Sequence, residues 1–93
     1  MTNEEKKERS LKILQLVGGT TLLTQIEEIP TDLGEPDCRL VEPFQVNTKT
    51  LELSPWLLEV TTQNTFMMHS DKILTIADPN TKLKNKYEGL IKG

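Results

Sequence analysis

The chain of 93 residues has few of the residue types from which metal centres and disulfide scaffolds are built. It contains one cysteine, Cys38, and one histidine, His69. No disulfide can therefore form within the chain, and no zinc site of the usual Cys/His spacing can be assembled. The amino terminus lacks the apolar core of a signal peptide, and no apolar run approaches membrane-spanning length. These absences predict a cytoplasmic protein without a cofactor.

Signatures of the common enzyme classes are also absent from the sequence. There is no glycine-rich phosphate loop and no nucleophile elbow. Glu27 and Glu28 are adjacent, but neighbours in a strand project to opposite faces and cannot act as a catalytic pair. Cys38 is distant from His69 in the chain, and a lone cysteine usually serves as a small buried hydrophobe. We therefore expect a protein that is not an enzyme.

Apolar side chains are scarce and the net charge is slightly negative. Hydrophobic residues make up 35% of the chain and aromatic residues only 4%. A domain of this size buries only about 60–70% of its unfolded surface, so oligomerisation would add useful stability. The formal net charge of −3 argues against a generic basic coat for nucleic acid, although a small local site remains compatible with it.

A glycine pair organises the first part of the chain. Two apolar runs, at residues 11–17 and 20–29, flank Gly18 and Gly19. Two strands joined by a two-residue loop need positive φ in that loop, which glycine supplies, so we predict a hairpin. The alternative is a helix that ends at Leu16, with glycine as its carboxy-terminal stop.

Residues 38–46 predict a third strand, after a loop at residues 30–37 that is rich in proline and acidic residues. At the period of two that a strand imposes, four side chains fall on one face: Cys38, Leu40, Phe44 and Val46. Pro43 cannot donate a ladder hydrogen bond, so it predicts a bulge or an edge segment within this strand.

Further strands are predicted over residues 50–57, 65–69 and 72–77, with a polar corner between the last two. Asn80 then suits the N-cap of a helix. The apolar stripe of that helix is Leu83, Tyr87, Leu90 and Ile91.

Five or six short strands with short terminal helices predict a small, strongly bent antiparallel barrel. We expect a charged leader or short helix at residues 1–10, the barrel at residues 11–79 and a helix at residues 80–93. Sm-like, SH3-like and OB-like barrels share this outline.

The polar corner resembles the second motif of the Sm/LSm family. In that motif an aliphatic residue, arginine, glycine and Asn or Asp precede an aliphatic strand. Residues 68–76, Met-His-Ser-Asp-Lys-Ile-Leu-Thr-Ile, share the apolar frame and place Asp71 at the acidic position. They depart from it at His69, where arginine is usual, and at Ser70, where glycine is usual.

The first half resembles the first Sm motif. Gly19 matches the turn glycine, and Asp37, Cys38 and Leu40 match a run of asparagine, aliphatic, any residue and aliphatic. Asp37 replaces the asparagine, and Gln25 stands where a mid-strand glycine is usual.

The order of short motifs is similar to that of small phage-borne Sm-like proteins, which are also abundant among marine environmental sequences. The likeness covers about residues 11–90. The matching segments are Leu16-Val17-Gly18-Gly19, Leu40 to Pro43, Pro55-Trp56, Ile73 to Ile76, Pro79, and Leu83-Lys84-Asn85-Lys86-Tyr87.

This resemblance implies a homo-oligomeric ring of about five to seven subunits, closed by head-to-tail strand pairing at the edges flanking residues 50–69. The residues expected at the subunit interface are Leu51, Leu53, Trp56, Phe66 and Met68.

The resemblance also implies single-stranded, often U-rich RNA at the pore, held by the loops that end the two motifs. The matching residues are Asp37, His69, Ser70 and Asp71. The alternative is a structural or adaptor ring, related to phage, that binds protein and has lost RNA binding. A lysine stripe on the terminal helix (Lys82, Lys84, Lys86 and Lys92) would serve either use. If the protein is phage-encoded, we expect it in the host cytoplasm.

Overall fold

The structure, a computed structural model, describes residues 10–92. The predicted leader at residues 1–9 lies outside this part of the chain. The strands are β1 (Ser10–Leu16), β2 (Thr21–Glu28), β3 (Cys38–Val46), β4 (Leu53–Pro55), β5 (Thr65–Met68) and β6 (Ile73–Ala77). A short 3-10 helix, Ser70–Lys72, lies between the last two strands, and helix α1 spans Thr81–Lys92.

The six strands form one antiparallel sheet in the order β4-β3-β2-β1-β6, and β5 also pairs with β3. The prediction of a mostly β fold with a carboxy-terminal helix is therefore confirmed. The sheet is not closed into a barrel. Within residues 10–92, no ladder joins β6 at one edge to β4 or β5 at the other.

The predicted β1–β2 hairpin is present, but its loop has three residues, 17–19, and not the two expected, because the amide of Leu16 donates to the carbonyl of Thr20 at 2.8 Å. Gly18 and Gly19 have φ values of 98° and 95°, which residues with a Cβ atom rarely adopt. The amide of Gly19 donates to the carbonyl of Leu16 at 3.0 Å, which closes the turn. The alternative of a helix ending at Leu16 is wrong.

A bulge divides β3 into two halves. Leu23 pairs with Phe44 and Gln25 with Val41, so Glu42 and Pro43 together oppose the single residue between. Glu42 has a φ of 53°, and the strand bends there. Residues 38–41 pair with β5, whereas residues 44–46 pair with β4. The bulge predicted from Pro43 is confirmed.

The same bulge overturns the prediction that Cys38, Leu40, Phe44 and Val46 share a face. One extra residue reverses the alternation of side chains beyond it. Leu40 consequently packs with Leu14, whereas Phe44 and Val46 pack on the opposite side of the sheet.

The sheet carries an apolar cluster on each face. The helix face is formed by Leu23 and Val46, which α1 covers with Leu83 and Tyr87. The helix-free face is formed by Leu14, Leu16, Leu22 and Leu40. Half-buried residues complete the helix-free face, namely Ile26, Trp56, Met68 and Ile73.

Helix α1 is fixed by hydrogen bonds at its amino terminus and at its centre. Asn80 is the N-cap, as predicted, and its Oδ1 accepts from the amide of Leu83 at 2.8 Å. The Tyr87 hydroxyl donates toward the bulge carbonyls of Glu42 and Val41, at 2.9 and 3.1 Å, and accepts from Gln25 at 3.2 Å. The helix is thereby tied to the bulge as well as packed on the sheet.

The predicted strand at residues 50–57 is shorter than expected. Only Leu53–Pro55 is extended, because Leu51 and Leu57 on either side have φ values of 65° and 63°. No helix within residues 10–92 is long and apolar enough to cross a membrane.

Candidate functional site at the Asp37 corner

The corner before β6 is joined to the loop before β3 by one carboxylate. Asp37 accepts from the backbone amide of Ser70 at 2.8 Å and from the Ser70 hydroxyl at 2.9 Å. The two residues are far apart in the sequence, and the pairing of β3 with β5 brings them together. This contact links the two segments in which the sequence analysis noted a resemblance to the Sm motifs.

All four predicted RNA-binding residues lie in one shallow depression. Asp37, His69, Ser70 and Asp71 line it together with the loop residues 33–35, around a volume of about 370 Å³. His69 is half-buried, whereas Asp71 is exposed. Neither side chain hydrogen-bonds to another residue within 10–92, so both are available to a ligand.

The depression is acidic. Glu35, Asp37 and Asp71 contribute carboxylates, and no lysine or arginine is among its described lining residues. The backbone amide of Ser70, then its hydroxyl, lowers the pKa of Asp37 below the usual value of 3.8, with a smaller contribution from His69. Asp37 is therefore ionised at neutral pH. Among residues 10–92 no cluster of His, Cys, Asp and Glu side chains is arranged to hold a metal ion.

Cys38 adjoins the corner but is turned into the protein. It is 4% exposed, and burial, with Asp37 and Glu28 nearby, raises the pKa of its thiol. The thiol is consequently protonated at neutral pH and is unsuited to nucleophilic attack. The placement agrees with the sequence interpretation of Cys38 as a small buried hydrophobe.

The five predicted interface residues are all half-buried against their own chain. Leu51 and Leu53 pack on the helix face, and Trp56 and Met68 pack on the helix-free face. Phe66 meets Trp56 edge to face, with ring centroids 5.6 Å apart.

Different apolar residues are exposed at the sheet edges. Leu74 and Ile76 in β6 are 66% and 55% exposed, and Met67 in β5 is 47% exposed. None of these three residues is among those that the sequence analysis expected at a subunit interface. The run of Ile73, Leu74 and Ile76 could have indicated an exposed apolar face, because a strand with one buried face does not need apolar residues on both sides.

Residues 9–92 match the model of a family described as a family of unknown function, DUF6561. The match covers nearly the whole chain, so the chain belongs to that family. No curated protein matches the sequence.

Proposed function

We propose that this member of the DUF6561 family is an Sm-like subunit of a homomeric ring that binds single-stranded RNA at the Asp37 corner. The contact between Asp37 and Ser70 carries the proposal, because it joins the two segments that resemble the Sm motifs into one surface. The strand order β6-β1-β2-β3, with β5 paired to β3, also supports the proposal. In this order the loop before β3 and the corner before β6 lie close together in one sheet.

Ring assembly is supported by the two unpaired edges of the sheet. Each edge presents free backbone groups beside exposed apolar side chains, Ile76 in β6 and Met67 in β5. Exposed edges of this kind pair readily with another strand. A second copy that aligns its β5 with β6 would continue the sheet and cover Ile76. Such a head-to-tail contact closes into a ring if the rotation per subunit permits it.

The acidic corner suits bases better than phosphates. Carboxylates repel the RNA backbone, but they accept hydrogen bonds from base N–H groups, and an imidazole can stack on a base. Asp71 would accept from a base edge, such as the N–H of uracil, and His69 would supply the stacking surface. Because few phosphates are neutralised, the affinity should depend only weakly on salt.

Native mass by light scattering tests the assembly. We expect a mass of about five to seven protomers. The variant Ile76→Lys places a charge on the open edge and should give monomers. Val17→Lys is the matched control, because Val17 is equally exposed, at 55%, but lies at the hairpin tip. A monomeric wild-type protein, or an Ile76→Lys protein of unchanged mass, would refute edge pairing.

Fluorescence anisotropy with a short U-rich RNA tests the site. His69→Ala and Asp71→Asn should each weaken binding about fivefold or more, as expected for the loss of a stacked or hydrogen-bonded base. Glu88→Gln is the control, since it removes one negative charge from the exposed surface of α1. Equal effects of all three substitutions would show that charge alone, and not the corner, governs binding.

A structural or adaptor ring without RNA is the second candidate. The three carboxylates of the corner favour it, as does Asp37, whose two oxygens already accept from Ser70. A stable ring with no detectable RNA affinity would select this candidate. Binding that is lost when Lys82 and Lys84 are neutralised would instead place RNA on α1, where both side chains are exposed.

A further inference from the structure

A second cavity lies at the β3 bulge and shares no lining residue with the Asp37 corner. It has a volume of about 200 Å³ and is walled by the β3 bulge, the segment between β4 and β5, and the end of α1. Three of the four aromatic residues of the chain line it: Phe44, Trp56 and Phe66. The Trp56 and Phe66 rings meet at 63°, with centroids 5.6 Å apart, so they form a corner rather than a stack.

One acidic residue stands among these aromatic walls. Glu42 is the only charged residue among the described residues that line the cavity. It is half-buried and forms no ion pair within residues 10–92. Removing a carboxylate from water beside an apolar surface costs free energy unless a positive charge compensates it. No lysine, arginine or histidine is among the described residues that line the cavity, so this lining is complementary to an added cation.

The backbone around the cavity is held in uncommon conformations. Glu42 and Leu57, which adjoin the cavity walls, have φ values of 53° and 63°. Such conformations cost of order 1 kcal/mol or more for residues other than glycine, and they concentrate at ligand sites. Glu42 is held by its amide, which donates to Asn64 at 2.7 Å, and by its carbonyl, which accepts from Tyr87 at 2.9 Å. The backbone of Glu42 is thus held in place by contacts within the chain.

We propose that this cavity binds an alkylammonium cation, with the charge facing Glu42 and the alkyl groups against Trp56 and Phe66. Aromatic faces attract cations through their quadrupole, and alkylated ammonium groups also bury apolar surface against them. The volume is below the range of about 300–1,000 Å³ that is typical of drug-sized ligands, so the ligand is a small headgroup. This inference does not depend on ring assembly or on RNA.

Tryptophan fluorescence provides a direct measurement, because Trp56 is the only tryptophan of the chain. The full-length protein is titrated with choline chloride at constant ionic strength, balanced with sodium chloride. We expect saturable quenching or a spectral shift with a dissociation constant of about 1 mM or somewhat above. The uncharged carbon isostere dimethylbutanol should bind at least about fivefold more weakly. No saturable response to choline, or equal binding of the isostere, would overturn the proposal.

Variants identify the groups responsible. Glu42→Gln keeps the side-chain shape and should weaken choline binding about tenfold, and Phe66→Leu should weaken it similarly. The control is Glu59→Gln, because Glu59 belongs to the same connecting segment but does not line the cavity. Circular dichroism verifies that each variant is folded. Unchanged affinity in a folded Glu42→Gln protein would overturn the role of the carboxylate.

The source of the cation is resolved by a peptide carrying trimethyllysine and the same peptide with unmodified lysine. Tighter binding of the methylated peptide than of free choline, with no binding of the unmodified one, assigns the site to a modified side chain. Equal binding of choline and the methylated peptide assigns it to the free headgroup. Both outcomes support the alkylammonium site, whereas preference for unmodified lysine overturns it.

Discussion

The two faces of the sheet are completed by different means. The helix face is covered by α1, whose Leu83 and Tyr87 are 6% and 1% exposed. Among the described residues, no helix covers the helix-free face, and half-buried neighbours such as Ile26 and Trp56 cover Leu14 and Leu22 instead. Polar contacts differ as well, because the Tyr87 hydroxyl ties the helix to the β3 bulge.

The centres of the two faces are equally well buried, and the faces differ in the elements that surround those centres. Leu14 and Leu22 on the helix-free face are 0% exposed, and Leu23 and Tyr87 on the helix face are 0% and 1% exposed. The helix-free face continues at its margin into Ile76, which pairs with Leu14 and yet remains 55% exposed. If the proposed ring forms, the helix face is stable in each subunit and the other face gains stability from the neighbour.

The largest effect is expected from removing the central side chain of α1. Tyr87→Ala should lower the free energy of unfolding by about 3–5 kcal/mol, because it leaves a cavity and unties the helix. That is a large part of the 5–15 kcal/mol typical of a small domain. Urea unfolding followed by circular dichroism measures the loss. Lys84→Ala, on the exposed side of the same helix, should change it by less than about 0.5 kcal/mol. A loss below about 1 kcal/mol for Tyr87→Ala would show that α1 is only loosely attached.

A somewhat smaller loss is expected on the other face. Leu14 is fully buried, and Leu14→Ala should cost about 2–4 kcal/mol. If a neighbour completes this face, the unfolding midpoint of the wild-type protein and of this variant should rise with protein concentration. Unfolding midpoints that do not change over a roughly hundredfold range of protein concentration would show that the chain completes both faces alone.

The bulge allows a finer test of the polar contacts. The Val41 carbonyl accepts from the Thr24 hydroxyl at 3.2 Å and from the Tyr87 hydroxyl at 3.1 Å. Thr24→Val and Tyr87→Phe should each cost about 1 kcal/mol. The double variant should cost more than the sum by about 0.5 kcal/mol or more, because the carbonyl then loses both donors. Strict additivity would contradict this shared role. Thr21→Val, which loses only a side-chain contact to Gln15, is the control.

The smallest effect concerns the corner and depends on pH. The folded pKa of Asp37 lies below its usual value of 3.8, so its ionised form is favoured by folding. This contribution is present above that value and is lost as the pH falls through the folded pKa. The stability difference between wild type and Asp37→Asn should therefore shrink toward low pH in urea titrations. Ser70→Ala removes one donor and should reduce the same pH dependence. A difference that is constant with pH would rule out the Asp37–Ser70 contact as its source.

Features set by local chemistry could be predicted from the sequence. The Gly18-Gly19 turn, the bounds of β3, the bulge at Pro43 and the Asn80 cap each follow from a residue with a narrow conformational or hydrogen-bonding preference. These predictions need no knowledge of the remainder of the chain.

Features set by tertiary geometry could not be predicted from the sequence. Alternation placed Phe44 with Leu40, but the bulge between them reversed the face, and a sequence shows the presence of a bulge more readily than its effect on side-chain direction. Tyr87 was recognised as apolar, whereas its hydroxyl found partners in the distant residues 41 and 42.

The sequence predicted which residues form the candidate site, but it did not predict the hydrogen bonds between them. The resemblance to the Sm motifs singled out Asp37 and the corner at residues 69–71, which the fold does bring together. The hydrogen bonds from Ser70 to Asp37 depend on how β5 aligns with β3, and no local pattern encodes that register.

The position of β1 between β2 and β6 has a consequence for synthesis on the ribosome. One edge of β1 pairs with β2 as soon as the hairpin forms, but its other edge pairs with Ile73–Ala77, near the end of the chain. Until those residues emerge, a nascent chain presents the unpaired backbone of β1 and, without α1, an uncovered helix face. Chains terminated before residue 73 would retain both surfaces and be prone to aggregate. β6 and α1 therefore cover two surfaces that the preceding strands leave open.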